Sequence, residues 1–453
     1  MASQISKFII HGLFGYRDIY LDFTQPYKIL IGENGLGKTT VLNCLYYTLS
    51  QKFKELSKIK FNEIEIHFKN ERISFTKHQL ECYNQRDEST NATPFQRLLE
   101  NNLQPSDLRQ LDKLLFGPNN DQSVIADTRR ILSERGIGGV NASELYLLRN
   151  VRKVVMDNVA MGFSRNVEKL DRLTDFAILY FPTYRRVESS FSAMADGLSY
   201  LKEHNPFFDE DDIRRLYHTE MIRFGMTDVK ERIQTLTNEI AQQTREGFSK
   251  VLGDMLSVLA RNNTKLATRQ KFEESKINIV LSRLSSAINV EDKKRILEYA
   301  LSDSQQESKY LDFLISRLIE LYEDHREQDD AIKKFVEVCN FYLFDKKFVY
   351  NESEIDLYLE SFHGKERLDL DCLSSGEKQI VSLFSKIFLE VGKVFYIIFD
   401  EPELSLSMRW QMRLLPDIVS SGKCDFMIAA THSPFIFDNE MRKYAVALSD
   451  SMK

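Results

Sequence analysis

Cysteine is scarce in this sequence of 453 residues, and its five occurrences lie far apart with no CxxC pair. An odd, scattered set argues against a disulfide framework, a zinc site or a zinc hook, and it favours a reducing compartment. The eight histidines are equally scattered, without an HExxH pattern. No apolar run approaches the roughly 18–20 residues of a membrane span, and the N-terminus lacks the layout of a secretory signal. We therefore expect a soluble, cytoplasmic protein without a membrane segment.

Positive charge is not in excess either, because the formal net charge is −6. A strongly basic nucleic-acid binder would not show this balance, which leaves room only for a local basic groove. Hydrophobic residues make up 43% and charged residues 28% of the chain, as in ordinary globular proteins. This composition excludes wholesale disorder and fibrous repeats. The length suggests about two to four domains.

The strongest functional signal lies in the first forty residues. The apolar run Tyr27–Ile31 is predicted to be a strand, and GENGLGKTT follows it at residues 32–40, a full GxxxxGK[ST] match. The next segment, Val41–Leu49, has the apolar spacing of a helix. A glycine-rich loop lets backbone N–H groups surround an anion, and the helix N-terminus adds partial positive charge. We predict that ATP and Mg²⁺ bind here, with Thr39 on the metal and the nucleotide on Asn34, Gly35, Gly37, Lys38, Thr39 and Thr40.

Two apolar strands near the C-terminus supply independent support. Val394–Phe399 is an unbroken apolar run, as expected for a strand buried on both faces, and Asp400 and Glu401 follow it. Acidic side chains at the carboxyl end of a central strand lie where open α/β sheets bind ligands. We predict that Asp400 helps to hold Mg²⁺ and that Glu401 is catalytic and polarises the attacking water. The second strand, Cys424–Ala430, is followed by His432, which we expect to contact the γ-phosphate.

A third motif, LSSGEKQ at residues 373–379, runs into an amphipathic helix. It has two interpretations, an ordinary helix N-cap or an anion-binding helix N-terminus that is offered to a phosphate on another molecule. In the second interpretation Ser374, Gly376 and Glu377 bind nucleotide. The segment PTYRRVE at residues 182–188, after the apolar run Phe176–Phe181, presents a similar choice. Its Arg185 and Arg186 contact an anion or a partner, or they form a surface ion-pair cluster.

Together, GENGLGKTT, LSSGEKQ, FYIIFDEPE and ATHSP resemble the ABC-type head of the SMC, Rad50, RecF and OLD group of AAA-family ATPases. The resemblance implies Walker A, the ABC signature, Walker B and the H-loop, in this order. It implies an α/β fold, a P-loop NTPase of the ABC-ATPase type with a mixed β-sheet core, helices and a helical or short coiled-coil insertion. It also places Arg17 near the loop that leans over the nucleotide. Ser375 departs from the pattern, because transporters usually have a glycine there.

The resemblance further implies that Ser374 and Gly376 of one subunit complete the site around Lys38 of another. ATP would then join two heads face to face, and hydrolysis would let them open. Apolar spacings within 228–262 and 309–339 predict amphipathic helices where Rad50-like proteins insert a coiled coil. Each arm is only a few turns long, and core helices of a helical domain explain the pattern equally well. We expect five parts: 1–80, N-terminal head with Walker A; 81–175, mainly helical insertion; 176–190, strand and PTYRR loop of the head; 191–345, helical or short coiled-coil insertion; 346–453, C-terminal head with signature, Walker B and H-loop.

OLD nucleases carry a Toprim domain after the head, and we expect none here, because only about twenty residues follow His432 in this sequence. A stand-alone head with a short helical insertion looks like the ATPase subunits of bacterial anti-phage systems. The amino-acid sequences of the motifs most resemble those of PARIS-type ATPases, and the Septu- and retron-associated ATPases are similar. The resemblance implies a homo-oligomer, a dimer or a ring such as a hexamer, that holds a Toprim-like nuclease until a phage-encoded trigger appears.

Two other hypotheses stay open. In the first the chain is a RecF- or Rad50-like repair ATPase, which would bind DNA in a salt-sensitive manner. In the second it is a nucleotide-bound scaffold with negligible turnover, which the adjacent pair Asp400 and Glu401 argues against.

Overall fold

The computed structural model describes residues 5–33, 35–85, 93–116, 121–135, 137, 143–182, 219–221, 226–260, 272–284, 288–302 and 308–452. The described strands are β1 (Ile5–Leu13), β2 (Arg17–Asp22), β3 (Tyr27–Ile31), β4 (Glu63–Phe68), β5 (Arg72–Thr76), β6 (Ala177–Phe181), β7 (Thr219–Met221), β8 (Lys346–Asn351), β9 (Asp356–Ser361), β10 (Arg367–Leu368), β11 (Phe395–Asp400), β12 (Cys424–Thr431) and β13 (Ala445–Ala447).

The described helices are α1 (Lys38–Leu49), α2 (Phe53–Leu56), α3 (Lys77–Asn84), α4 (Pro94–Asn102), α5 (Pro105–Phe116), α6 (Asp121–Glu134), α7 (Glu144–Leu173), α8 (Met226–Ala260), α9 (Glu274–Arg283), α10 (Val290–Leu301), α11 (Lys309–Asp324), α12 (Arg326–Tyr342), α13 (Ser375–Leu389) and α14 (Met408–Ser420). Short 3₁₀ turns lie at Leu370–Cys372, Pro434–Ile436, Glu440–Tyr444 and Leu448–Ser451.

A parallel sheet with the strand order β13-β3-β12-β11-β6-β7 forms the centre of the fold. Its strand β11 is buried along its whole length. Phe395, Ile397 and Phe399 belong to the core on one face, and Tyr396 and Ile398 belong to the core on the other. Alternate side chains of a strand point to opposite faces, so an unbroken apolar run is what a strand covered on both faces requires.

The two faces of the parallel sheet carry different layers. On one face, α1 and the antiparallel sheet β2-β1-β4-β5 share a core that includes Phe8, Leu42 and Ile66. On the other face, α12, α13, α14 and the first half of α8 pack together with the antiparallel sheet β10-β9-β8. These layers make the mixed α/β core of a P-loop NTPase. They also place the carboxyl ends of β3, β11 and β12 side by side.

Two helical parts extend from this head. Helices α4–α7 have an apolar core of their own. The second half of α8 forms a smaller cluster with α9 and α11, and α9, α10 and α11 form another. Phe163 and Leu170 of α7 nevertheless belong to a core of the head, as do Val229 of α8 and Phe335 of α12. The five-part division of the chain stays a prediction. Helices α7 and α8 each contribute one part of their length to a core of the head and another part to a helical extension.

The helical extension at α8 has a close-packed pair at its base. Gly247 of α8 faces Leu321 of α11, and a Cβ at Gly247 would lie 2.1 Å from the Leu321 Cδ1 atom. Val251, one turn further along α8, clusters with Leu318, one turn earlier in α11, so the two helices are antiparallel. Within the described ranges, no helix is long and apolar enough to cross a membrane.

Candidate functional site

The loop between β3 and α1 takes its shape from two glycines. Gly35 and Gly37 have φ angles of 83° and 90°, in the left-handed region that favours glycine. A Cβ at Gly37 would lie 2.9 Å from Phe14 Cε2, so this position has no room for a side chain. Helix α1 begins at Lys38 without a side-chain cap and without an acidic residue in its first turn. Its N-terminus therefore suits an anion, and Asn34 lies outside the described residues.

Lys38 is buried at this site and donates to three acceptors. Its Nζ lies 2.7 Å from Gly32 O, 3.1 Å from Glu33 O and 2.7 Å from His432 Nε2. Burial lowers the pKa of Lys38, and the carboxylates of Glu401, Asp400 and Glu403, in this order, oppose the shift. Lys38 and His432 are thus in direct contact.

Thr39 and Asp400 form the second contact of the site. The Thr39 hydroxyl donates to Asp400 Oδ1 over 2.9 Å, and Asp400, the last residue of β11, is buried. A hydroxyl and a carboxylate that face each other are oxygen donors of the kind that Mg²⁺ takes beside a bound phosphate. These two side chains fit the metal role that the sequence predicts for them. Thr40 lies next to Thr39 in the first turn of α1.

Glu401 follows β11 with an unusual backbone conformation. Its φ angle is 55°, which costs a non-glycine residue about 1 kcal/mol or more and persists only where the surroundings enforce it. Its N–H donates to Ala430 O of β12 over 2.8 Å. The Oε1 atom of Glu401 lies 3.8 Å from His432 Nε2. The two side chains predicted to be catalytic therefore lie together, beside Lys38.

The loop after β12 is held by side chains that the sequence analysis did not single out. The N–H groups of His432 and Ser433 both donate to Glu403 Oε1, over 2.8 and 3.1 Å. The Ser433 hydroxyl donates to Gln411 Oε1 over 2.6 Å. In the sequence Glu403 is only a further acidic residue after Glu401. No local pattern predicts that its carboxylate accepts the backbone N–H groups of residues about thirty positions away.

The signature motif forms a capping box at the start of α13. The Ser374 N–H donates to Glu377 Oε2 over 2.7 Å, and the Glu377 N–H donates to the Ser374 hydroxyl over 3.4 Å. Lys346 Nζ lies 2.9 Å from the same carboxylate. Burial alone would raise the pKa of Glu377, but the bonds from Ser374 and Lys346 leave that pKa lowered. The N-cap interpretation therefore describes both Ser374 and Glu377, and Ser374 is also exposed at the helix N-terminus.

Gly376 is buried against the loop that follows β11. A Cβ at this position would lie 2.6 Å from Ser405 O and 3.1 Å from Trp410 Cζ3. The signature glycine thus permits close packing within its own chain. Nucleotide binding by Ser374, Gly376 and Glu377 across two subunits stays a prediction.

Arg17 reaches the Walker A loop from the start of β2. Its Nη1 donates to Leu36 O over 3.2 Å, and its guanidinium lies 4.9 Å from the centre of the Tyr16 ring. The structure thus places Arg17 beside this loop, and its predicted contact with an anion or a partner stays a prediction. Arg185 and Arg186 lie outside the described residues.

These elements converge on one edge of the parallel sheet. Four features lie at the carboxyl ends of β3, β11 and β12. They are the N-terminus of α1 after its glycine-containing loop, the buried lysine, the threonine–aspartate pair and the glutamate–histidine pair. Fold and site together define a P-loop NTPase of the ABC-ATPase type. The family model for the AAA ATPase domain (AAA_15) matches residues 4–437, and the chain belongs to this family of ATPases.

Similar solved structures have low sequence identity. The Smc head domain with an extended coiled coil bound to the C-terminal domain of ScpA, from Pyrococcus furiosus, is 13% identical. That match covers 99% of this chain and 95% of the other, with a TM-score of 0.37. The Smc head bound to the C-winged helix domain of ScpA is 12% identical over 96% of this chain and 91% of the other, with a TM-score of 0.35. No curated protein matches the chain significantly.

Proposed function

We propose that this chain binds and hydrolyses Mg·ATP and acts as an oligomeric sensor and scaffold in bacterial anti-phage defence. The observation that carries the ATPase proposal is the double contact between Walker A and the strands β11 and β12. Lys38 Nζ lies 2.7 Å from His432 Nε2, and Thr39 Oγ1 lies 2.9 Å from Asp400 Oδ1. Glu401 lies beside them, 3.8 Å from His432. A site with these groups in contact can bind a triphosphate and orient a water molecule.

Each side chain has a defined part in this chemistry. Lys38 would exchange its loop carbonyls and His432 for oxygens of the β- and γ-phosphates, where its charge stabilises the transition state. Glu401 would accept a hydrogen bond from the attacking water and polarise it. His432 would contact the γ-phosphate. Thr39 and Asp400 would hold Mg²⁺, which would supply neutralisation of the phosphate charge.

The defence role rests on the resemblance of the four motifs to PARIS-type ATPases. In this proposal ATP joins two heads, with Ser374 and Gly376 of each completing the site of the other, and dimers assemble into a higher ring such as a hexamer. Ser374 is exposed at the N-terminus of α13, which suits an anion from a second molecule. The assembly holds a Toprim-like nuclease in the cytoplasm, and a phage-encoded trigger releases it. Nucleotide-dependent opening is a two-state equilibrium that a trigger can bias.

Two variants test the ATPase assignment. Lys38→Ala removes the cation beside the loop and should abolish ATP binding, measured by titration with a fluorescent ATP analogue. Glu401→Gln keeps the size of the side chain but removes its charge, so it should bind ATP, stop turnover and retain an associated form. Normal turnover of the Glu401→Gln protein would contradict the catalytic assignment of Glu401.

The same variant tests the partner. Tagged Glu401→Gln protein is isolated with ATP from its native host, its bound proteins are identified and the mass of the particle is measured, with Lys38→Ala as the control. A stoichiometric nuclease on a multi-subunit particle, absent from the control, would support the scaffold. A bare dimer that carries only DNA, with an affinity that falls steeply with salt, would favour a RecF- or Rad50-like repair ATPase instead.

A further inference from the structure

Glu403 connects two loops of the site through one carboxylate oxygen. It lies in the loop between β11 and α14, and its Oε1 accepts the N–H groups of His432 and Ser433 over 2.8 and 3.1 Å. Its Oε2 is buried and has no hydrogen-bond partner in the described part of the chain. Hydrogen bonds from backbone N–H groups to a carboxylate are stronger than those to neutral acceptors. The backbone N–H of His432 is therefore held by this carboxylate oxygen, whereas the Ser433 N–H also donates to the Thr431 hydroxyl over 3.0 Å.

A second side chain of the same region completes the connection. Gln411 of α14 accepts the Ser433 hydroxyl over 2.6 Å and donates to Leu406 O over 2.9 Å and to Glu403 O over 3.3 Å. The turn His432–Ser433 is thus held on the side of the loop after β11. Loss of the Glu403 acceptor would leave the His432 N–H without its acceptor. The Ser433 N–H would keep the Thr431 hydroxyl, 3.0 Å away, and Gln411 would still hold the Ser433 side chain.

The position of the His432 ring matters because it lies between two groups of the site. Its Nε2 is 2.7 Å from Lys38 Nζ and 3.8 Å from Glu401 Oε1. A shift of about 1 Å in a group that contacts reacting atoms can cost on the order of 100-fold in rate. Anchoring of the turn therefore has a direct consequence for the chemistry.

We propose that Glu403 is a positioning residue of ATP hydrolysis, which fixes the backbone at His432 so that the imidazole keeps its place between Lys38 and Glu401. This inference rests on the proposed ATPase function. It assigns no contact between Glu403 and ATP. Its effect on turnover is therefore expected to exceed its effect on nucleotide affinity.

Two variants of Glu403 test the proposal. Glu403→Ala removes the acceptor, and Glu403→Gln keeps one acceptor oxygen at the same distance from the backbone. Alanine should lower kcat by about 10- to 100-fold and change KM by less than about threefold, because the phosphate-binding loop is untouched. Glutamine should restore most of the loss. Glu440→Ala, at an exposed position further along the same segment, is the matched control and should behave like the unchanged protein.

A second readout separates this inference from the ATPase assignment. In protein with labelled histidine, the His432 ring signals should shift or broaden in Glu403→Ala and stay near their original positions in Glu403→Gln and Glu440→Ala. Absence of turnover in the unchanged protein would overturn the proposed function, and the ring signals would still decide the position of His432. Unchanged kcat or unchanged His432 signals in Glu403→Ala would overturn the role of Glu403. So would equal losses in the alanine and glutamine variants, since these would point to the charge rather than the acceptor.

Discussion

Replacement of Gly376 by alanine gives the sharpest test of the packing around the signature helix. The added Cβ would lie 2.6 Å from Ser405 O and 3.1 Å from Trp410 Cζ3. A backbone carbonyl cannot rotate out of the way, so either α13 or the loop after β11 must move. Overpacking of this kind costs about 1–3 kcal/mol. Alanine in place of glycine within a helix gains about 0.5–1 kcal/mol, which offsets part of that cost.

We therefore expect Gly376→Ala to lower the free energy of unfolding by up to about 2.5 kcal/mol, which is the overpacking cost less the helix gain. Urea denaturation followed by circular dichroism measures this quantity. Turnover should fall as well, because the loop that must move also carries Glu401 and Glu403. The matched control is Gly253→Ala, at an exposed position of α8 where an added Cβ would meet no atom within 4 Å. This variant should gain about 0.5–1 kcal/mol from helix propensity alone.

The comparison of the two variants decides whether the reasoning holds. If Gly376→Ala is stabilised by as much as Gly253→Ala, the close approach of α13 to Ser405 does not exist in solution. If it loses stability but keeps full turnover, the signature helix and the catalytic loop are not coupled in the way that their contact indicates.

Three further predictions follow from single contacts. Asp329→Ala should lower the free energy of unfolding by about 3–5 kcal/mol, because the buried Arg283 guanidinium would lose its counter-charge. In the structure this guanidinium lies 2.8 Å from Asp329 Oδ2. A loss below about 1 kcal/mol in urea denaturation would contradict this expectation. Gly37→Ala should weaken nucleotide binding by at least about tenfold in a fluorescence titration, because its φ of 90° and the nearby Phe14 ring leave no place for a Cβ; unchanged affinity would show that the loop adapts. Burial, assisted by Arg283, lowers the pKa of His325, so the unfolded chain takes up its proton first as the pH falls. This contribution to stability should be complete above about pH 6.5 and decline below it, and His325→Gln should remove that part of the pH dependence in thermal melts at pH 5.5 and 7.5.

The motifs of the site could be predicted from the sequence because each is encoded by neighbouring residues. An apolar run followed by GENGLGKTT specifies strand, loop and helix locally, since glycine alone accepts the left-handed φ angles of Gly35 and Gly37. The unbroken apolar run that became β11 likewise indicates burial on both faces. The roles of Asp400, Glu401 and His432 were predicted from their positions directly after two apolar strands, and the combination of motifs then resembled that of ABC-type ATPases.

Several features of the site could not be predicted in this way. Nucleotide binding by Glu377 stays a prediction, and the bond between its carboxylate and Lys346, 31 positions away in the chain, was not predicted. The predicted helical insertions contain helix halves that complete the cores of the head. Periodicity shows that a helix has an apolar face but does not say which surface will cover it.

The amino-acid sequence by itself determined the local parts of this protein: the phosphate-binding loop, the strand that ends in two acids, and the class of ATPase to which they belong. Only the tertiary structure decided which parts meet. Lys38 and His432 are 394 positions apart, and Thr39 and Asp400 are 361 apart. They come into contact because β3, β12 and β11 are neighbours in one parallel sheet, so their carboxyl ends share an edge. Strand order results from packing of the whole chain, and no short segment encodes it.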